Sequence, residues 1–210
     1  AGSTQRLYEK WMERCREELE SGSYFKFKKN IREIVQEFDA LPIHEDCWKP
    51  KVGIVGEILV KYHPVANNHI EKVLMQEGAE VVMPDFVDFF MYMAYDSIVE
   101  HRLLDGKYKN KLLSGMFIRV LEFFRRPMRR ALQKSSRFLP PHTIEQIAEL
   151  ARRHVSLGNM AGEGWFLTGE MVKLIDEGVP NVVCLQPFGC LPNHITGKGV
   201  IHELRKSYHG

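Results

Sequence analysis

The segment between residues 51 and 83 constrains the fold most. Val52-Gly53-Ile54-Val55-Gly56 is a short, apolar, β-branched run, the pattern of a strand buried on both faces. A loop with Pro64 follows. Ile70, Val73 and Leu74 then give a helix one apolar face, and Gly78 ends it. Asn67 or Asn68 is placed to cap that helix, because a side-chain oxygen there can accept from the free N–H groups of the first turn. Ala79-Glu80-Val81-Val82-Met83, stopped by Pro84, reads as a second strand. Strand, helix and strand make a βαβ unit, whose crossover is right-handed and whose strands are parallel.

The rest of the chain is read around that unit. Leu7, Trp11, Cys15 and Leu19 recur every four residues, and Ser21-Gly22-Ser23 breaks their helix. Phe27, Ile31, Ile34, Val35 and Phe38 form a second stripe that ends at Pro42. Residues 1–50 are therefore predicted to be a helical annex and linker, packed against an α/β domain of residues 51–210. Residues 85–139 read as helical, with aromatic side chains at Phe86, Phe89, Phe90, Tyr92 and Tyr95. Pro140-Pro141 breaks the chain, and Thr143 with Gln146 matches a capping box for a helix with inner face Ile144, Ile147, Ala148, Ala151 and Val155. Gly158 to Gly164 is a turn-rich loop, followed by a short helix ending at Gly178. Val182-Val183-Cys184-Leu185 is a third buried strand, Pro187 to Asn193 a loop, and residues 195–207 a last helix. The expected class is α/β, a three-layer Rossmann-like or flavodoxin-like short parallel sheet in order near 2-1-3, with an N-terminal helical annex and long helical insertions. A doubly wound sheet would continue with another strand, so the domain is expected to be truncated at its C-terminus.

Composition narrows the function classes. A hydrophobic content of 44% supports a core, and a formal net charge of +2 gives no global case for nucleic acid. No stretch reaches the roughly 18 consecutive apolar residues of a membrane span, and the start shows no basic and apolar leader. The four cysteines, Cys15, Cys47, Cys184 and Cys190, include no CxxC pair and read as free thiols of a cytoplasmic protein. Cys184 and Cys15 fall on apolar patterns and read as small core hydrophobes, and Cys47 as a linker thiol. Arg119, Arg125, Arg126, Arg129, Arg130, Lys134 and Arg137 form a basic stretch that reads as a solvated or domain-docking helix face beside the core face of Phe123, Phe124 and Leu132. A phosphate-cradling glycine loop is absent, so ATP is not expected to bind this region.

The strongest local feature is Gln186-Pro187-Phe188-Gly189-Cys190-Leu191-Pro192-Asn193-His194, leaving the carboxyl end of the third strand, where open α/β sheets bind ligands. Two prolines stiffen it around a thiol, and the following helix N-terminus favours thiolate. A zinc site from Cys190, His194 and His202 is a weaker alternative, since Cys-x3-His lacks a second close pair. Glu57 and the Glu163 turn are expected at the same edge. There Glu57, Asn67, Asn68, Glu163, Asn193 and His194 either line a ligand pocket or serve as caps and turn residues.

The run Cys184-Leu185-Gln186-Pro187-Phe188-Gly189-Cys190-Leu191-Pro192-Asn193-His194 resembles the cysteine loop of large CoA-substrate-specific enzyme activases, in the 2-hydroxyacyl-CoA dehydratase and dehydratase-activator family. Lys51 to Ile58, Ala66 to Ile70 and Gly162 to Met171 are similar to that family in the same order. The resemblance implies a cysteine-ligated iron–sulfur cluster between two α/β domains and low-potential electron transfer, with Cys190 as a ligand. Such clusters need several thiolates, so the remaining ligands are expected in other domains of a longer protein. The implied partners are those domains and a CoA-ester dehydratase. Two alternatives are a CoA-ester-binding enzyme domain and a cluster-free interaction domain.

Overall fold

The computed structural model describes residues 2–22, 24–43 and 46–208. Its sheet has three parallel strands, β1 (Lys51–Gly56), β2 (Glu80–Val82) and β3 (Asn181–Leu185), in the order β2-β1-β3. Val52 aligns with Val81 on one side of β1 and with Asn181 on the other. Ile54 and Val55 point to opposite faces of β1 and both are fully buried, which explains the continuous apolar run. The two glycines of β1 serve close packing. A Cβ on Gly53 would lie 2.6 Å from Leu174 Cδ1, and one on Gly56 would lie 1.9 Å from the Leu185 carbonyl oxygen.

The chain divides into two compact units, Ala1–Cys47 with Arg119–Pro141, and Trp48–Ile118 with His142–Gly210. In the first unit, α1 (Ser3–Ser21) pairs with α2 (Tyr24–Asp39). Trp11 is buried, donates to Glu37 Oε2 (3.1 Å) and lies under the Arg14 guanidinium, which itself bonds Glu33 at 3.0 Å. Gly22, in the left-handed region at φ 60°, ends α1 by donating to Leu19. Ser23 of the predicted helix break lies outside the described residues. The latter part of α6 (Tyr108–Leu132) completes this unit. Ser135 Oγ donates to Asp39 at 2.8 Å and Arg137 to the Leu41 carbonyl at 2.6 Å.

The second unit is built around α8 (Gly164–Asp176), buried from Gly164 through Leu174. A helix apolar on all sides belongs in an interior, and this one packs against β1, β3 and α7 (Ile144–Arg152). Gly169 permits that approach, since a Cβ there would meet Ile147 Cγ2 at 2.7 Å. The capping box of Thr143 and Gln146 is present, and Ile144, Ile147, Ala148 and Ala151 are buried. Three local readings are corrected. The segment after β1 is not all loop but contains α3 (Ile58–Tyr62), before α4 (Ile70–Gln76). The helical stretch after Pro84 is two helices, α5 (Phe86–Leu103) and α6. The last helical segment begins at Leu191, not 195. Here α9 (Leu191–Thr196) carries Pro192 in its first turn, where a missing N–H costs nothing. Gly197 follows its last residue, where a Cβ would strike Asn193 O and Leu167 Cδ2, and α10 (Ile201–Tyr208) follows a 3-10 turn.

Candidate functional site at the carboxyl edge of the sheet

The connection from β1 leads to one side and the connection from β2 returns across β1 to β3, so the carboxyl ends of β1 and β3 flank the point where strand order reverses. That crevice is where open α/β sheets hold ligands. Glu57 leaves β1 there, and its N–H donates to the Leu185 carbonyl at the end of β3 (2.9 Å).

Both predicted glutamates are used at the start of α3. The Glu57 carboxylate caps that helix by accepting from Val60 N–H (2.8 Å). Glu163, buried at the N-terminus of α8, accepts from Ile58 N–H (3.0 Å). Two carboxylates thus satisfy orphan donors of a five-residue helix and favour its positive end. Glu163 does not sit at the tip of an exposed turn, since the chain brings it 105 residues back onto α3. Asn67 donates to the Val60 and Lys61 carbonyls (2.9 and 3.2 Å) and accepts from Ile70 N–H (3.3 Å), joining the end of α3 to the start of α4. Asn68 occupies the left-handed region at φ 55°, with His69 after it at 53°. Asparagine tolerates that region better than most residues. Glu57, Asn67 and Glu163 therefore hold backbone, and Asn68 makes a turn.

Beneath them lies a pair that sequence reasoning missed. Lys61 Nζ bonds both Glu170 oxygens at 2.9 Å, and each side chain is only 2% exposed. Burial pushes the Glu170 carboxyl above the usual carboxylate range, Lys61 opposes that push, and buried Asp88 adds to it. Glu163 and Glu170 are two helical turns apart on α8, so α3 is fastened to one face of α8 at both ends. The signal was present: a glutamate inside Trp165-Phe166-Leu167-Thr168-Gly169-Glu170-Met171-Val172 and a lysine after Ile58-Leu59-Val60 each demand a partner once those runs are buried. A second missed group supports the 158–164 loop. Tyr92 Oη lies 2.8 Å from the Gly162 carbonyl and 3.0 Å from that of Met160, and Asp96 accepts from Trp165 Nε1 (2.8 Å). Burial raises Asp96 to about 7, against the hydrogen bonds from Trp165 and Tyr92.

The loop after β3 differs. Pro187 to Cys190 forms a turn closed by Cys190 N–H on the Pro187 carbonyl (3.3 Å), with Gly189 at φ 76° and Phe188 fully exposed at its tip. Cys190 is the residue that begins α9, half-buried, and its thiol makes no capping bond. Gly162 touches this loop, for a Cβ on it would lie 3.1 Å from Pro192. Glu57, the Glu163 turn and the Cys190 loop therefore meet at one edge. Gln186 Nε2 lies 3.4 Å from His194 Nδ1. Gln186 Oε1 is buried without a hydrogen-bond partner, and so are both amide atoms of Asn193, a residue with 0% exposure. Cys184 packs against the core around Val55 and Leu167, and burial lifts its thiol to about 11, so it stays protonated at neutral pH.

No family model, curated protein or solved structure matches this chain. Among the described residues, no three His, Cys, Asp or Glu side chains converge as a metal site. A zinc centre from Cys190, His194 and His202 is thereby overturned, and the chain's described thiols do not by themselves fit a multi-thiolate cluster. Among the described residues no helix is long and apolar enough to cross a membrane.

Proposed function

We propose that this chain is a domain of a 2-hydroxyacyl-CoA dehydratase activator, supporting an iron–sulfur cluster for low-potential electron transfer together with other domains of a longer protein. The observation that carries the reading is the place of Cys190, at the head of α9 beside the strand-order reversal, with a thiol that no capping bond engages. A single thiolate is one ligand of a cluster, so Cys190 supplies one and the others come from outside the described residues. The surface around it suits docking of a second domain. Phe188 is fully exposed, and Leu191 and Ile195 are more than half exposed beside it. ATP chemistry belongs elsewhere in such a protein, which is cytoplasmic on this reading.

Two other readings rest on the same edge. In one, a CoA ester binds at this edge, beside Gln186, whose Oε1 has no hydrogen-bond partner. In the other, the edge is a docking surface without a cluster, as the single thiol and the exposed Phe188 also fit. The deciding experiment is iron and acid-labile sulfide content after anaerobic reconstitution, comparing the chain with Cys190→Ala. Iron and sulfide in the unaltered chain that vanish in Cys190→Ala support a ligand at Cys190. Equal content in both, or none in either when neighbouring domains are supplied, overturns it.

A further inference from the structure

A different place in the molecule carries a site of its own, independent of the reading above. The facing sides of α2 and the last turns of α6 enclose a cleft of about 640 Å³. Lys28 and Arg32 line it from α2, Arg130 from the end of α6, and Lys134 from the turn that follows α6. Lys28 and Arg32 are four residues apart on α2, which puts both cations on one helix face. Asp39 is the one carboxylate among the described lining residues, and it already accepts the Ser135 hydroxyl (2.8 Å).

Two cationic rows facing one space repel each other. Two members of the basic stretch bind within the fold: Arg129 donates to the Pro141 carbonyl and pairs with Glu122, and Arg137 donates to the Phe38 and Leu41 carbonyls. Among the described residues, Arg130 and Lys134 have no ion-pair partner. Arg32 spends one N–H on the Lys28 carbonyl at 3.4 Å, and a guanidinium has five donors. The bonds from Ser135 and Arg137 fasten the end of α2 to the segment after α6, so the walls are held apart at a fixed spacing. The size is that of a small-molecule pocket, and Pro127 adds an apolar edge. A flat solvated face would offer neither enclosure nor opposed cations.

We infer that this cleft binds a small polyanion carrying two or more phosphate groups, held between Arg32 of α2, Arg130 of α6 and Lys134 in the turn just after it. The guanidinium fork suits phosphate oxygens and lysine acts as a point charge.

The test is calorimetric titration of the full chain with tripolyphosphate at low salt, with sodium sulfate at matched ionic strength as the screening control. Saturable one-to-one binding that weakens as salt rises is expected. The double variant Arg130→Gln/Lys134→Gln should bind about tenfold or more weakly, as loss of charge-assisted hydrogen bonds implies. Without ligand its melting temperature should not fall, because like charges have been removed. Arg126→Gln, which removes one charge from the same helix outside the cleft, should leave the affinity unchanged. Absence of saturation overturns the site, as does equal weakening by Arg126→Gln. Binding of a poly-glutamate peptide with no response to tripolyphosphate also overturns it, and assigns the cleft to an acidic protein segment.

Discussion

The β1 side and the β3 side of one sheet edge treat polar groups in opposite ways. On the β1 side Glu57, Glu163 and Asn67 each bond backbone, and Lys61 with Glu170 forms a closed buried pair. On the β3 side the Cys190 thiol, Gln186 Oε1 and both amide atoms of Asn193 are unspent. Polar groups cost free energy to bury unless they are paired, so the two flanks differ in how completely their buried polar atoms are satisfied. The carboxylates of Glu57 and Glu163, which the sequence left open between pocket and cap, are scaffold, whereas Gln186 Oε1, the Asn193 amide and the Cys190 thiol are left without such bonds.

The comparison can be broken most forcefully at the buried pair. Lys61→Ala or Glu170→Ala alone should cost about 3–5 kcal/mol, because each leaves a buried charge without its partner. Lys61→Met with Glu170→Leu should cost less than either single change. Urea unfolding measures both, and a single-variant loss under about 1 kcal/mol would remove the clamp from the argument.

A smaller effect is expected from Glu163→Ala, about 1–2 kcal/mol for loss of a buried acceptor on the α3 N-terminus. Glu163→Gln should recover part of it. Hydrogen exchange at Ile58 N–H should quicken in the alanine variant, and unchanged exchange would mean that α3 is held by other groups.

The Asp96 carboxyl sharpens the same flank through pH. Raised to about 7 by burial, it keeps its proton in the folded chain where an unfolded chain, near 3.8, has released it. The stability it contributes is full below about pH 4 and is lost as pH rises through about 7. Asp96→Asn can still accept from Trp165, should flatten that slope, and should gain stability relative to the unaltered chain above neutral pH. Thermal melts from pH 4 to pH 9 decide it; parallel curves for the two proteins would exclude Asp96 as the titrating group.

The smallest change is expected at Asn193. Replacing a buried amide that bonds nothing by Asn193→Leu should alter stability by less than about 1 kcal/mol in either direction. A loss as large as that of Glu163→Ala would show a satisfied amide and erase the contrast between the two flanks.

Much of the frame was legible. The Lys51–Gly56 strand, the parallel β2-β1-β3 order, the Thr143–Gln146 capping box and the core role of Cys184 all follow from local pattern and handedness. The helix from Leu191 was read too late because Pro192 suggests a loop, although a proline is harmless in a first turn. Helix α3 was missed because five residues beside a proline-containing loop carry almost no periodicity. It is held by Glu57 at its own start and by Glu163 and Glu170 from far along the chain.

The sequence by itself determined the apolar periods, the turns and the parallel crossover, since these depend on neighbours within a few residues and on chain chirality. It also placed Cys190 at a strand's carboxyl end. Only the tertiary structure decided which polar groups are spent. Whether Glu163 is a pocket carboxylate or a cap depends on Ile58 arriving 3.0 Å away, and whether Arg130 faces solvent or a cleft depends on α2 lying opposite. Both are distances between segments far apart in the chain, set by packing rather than by spacing along it.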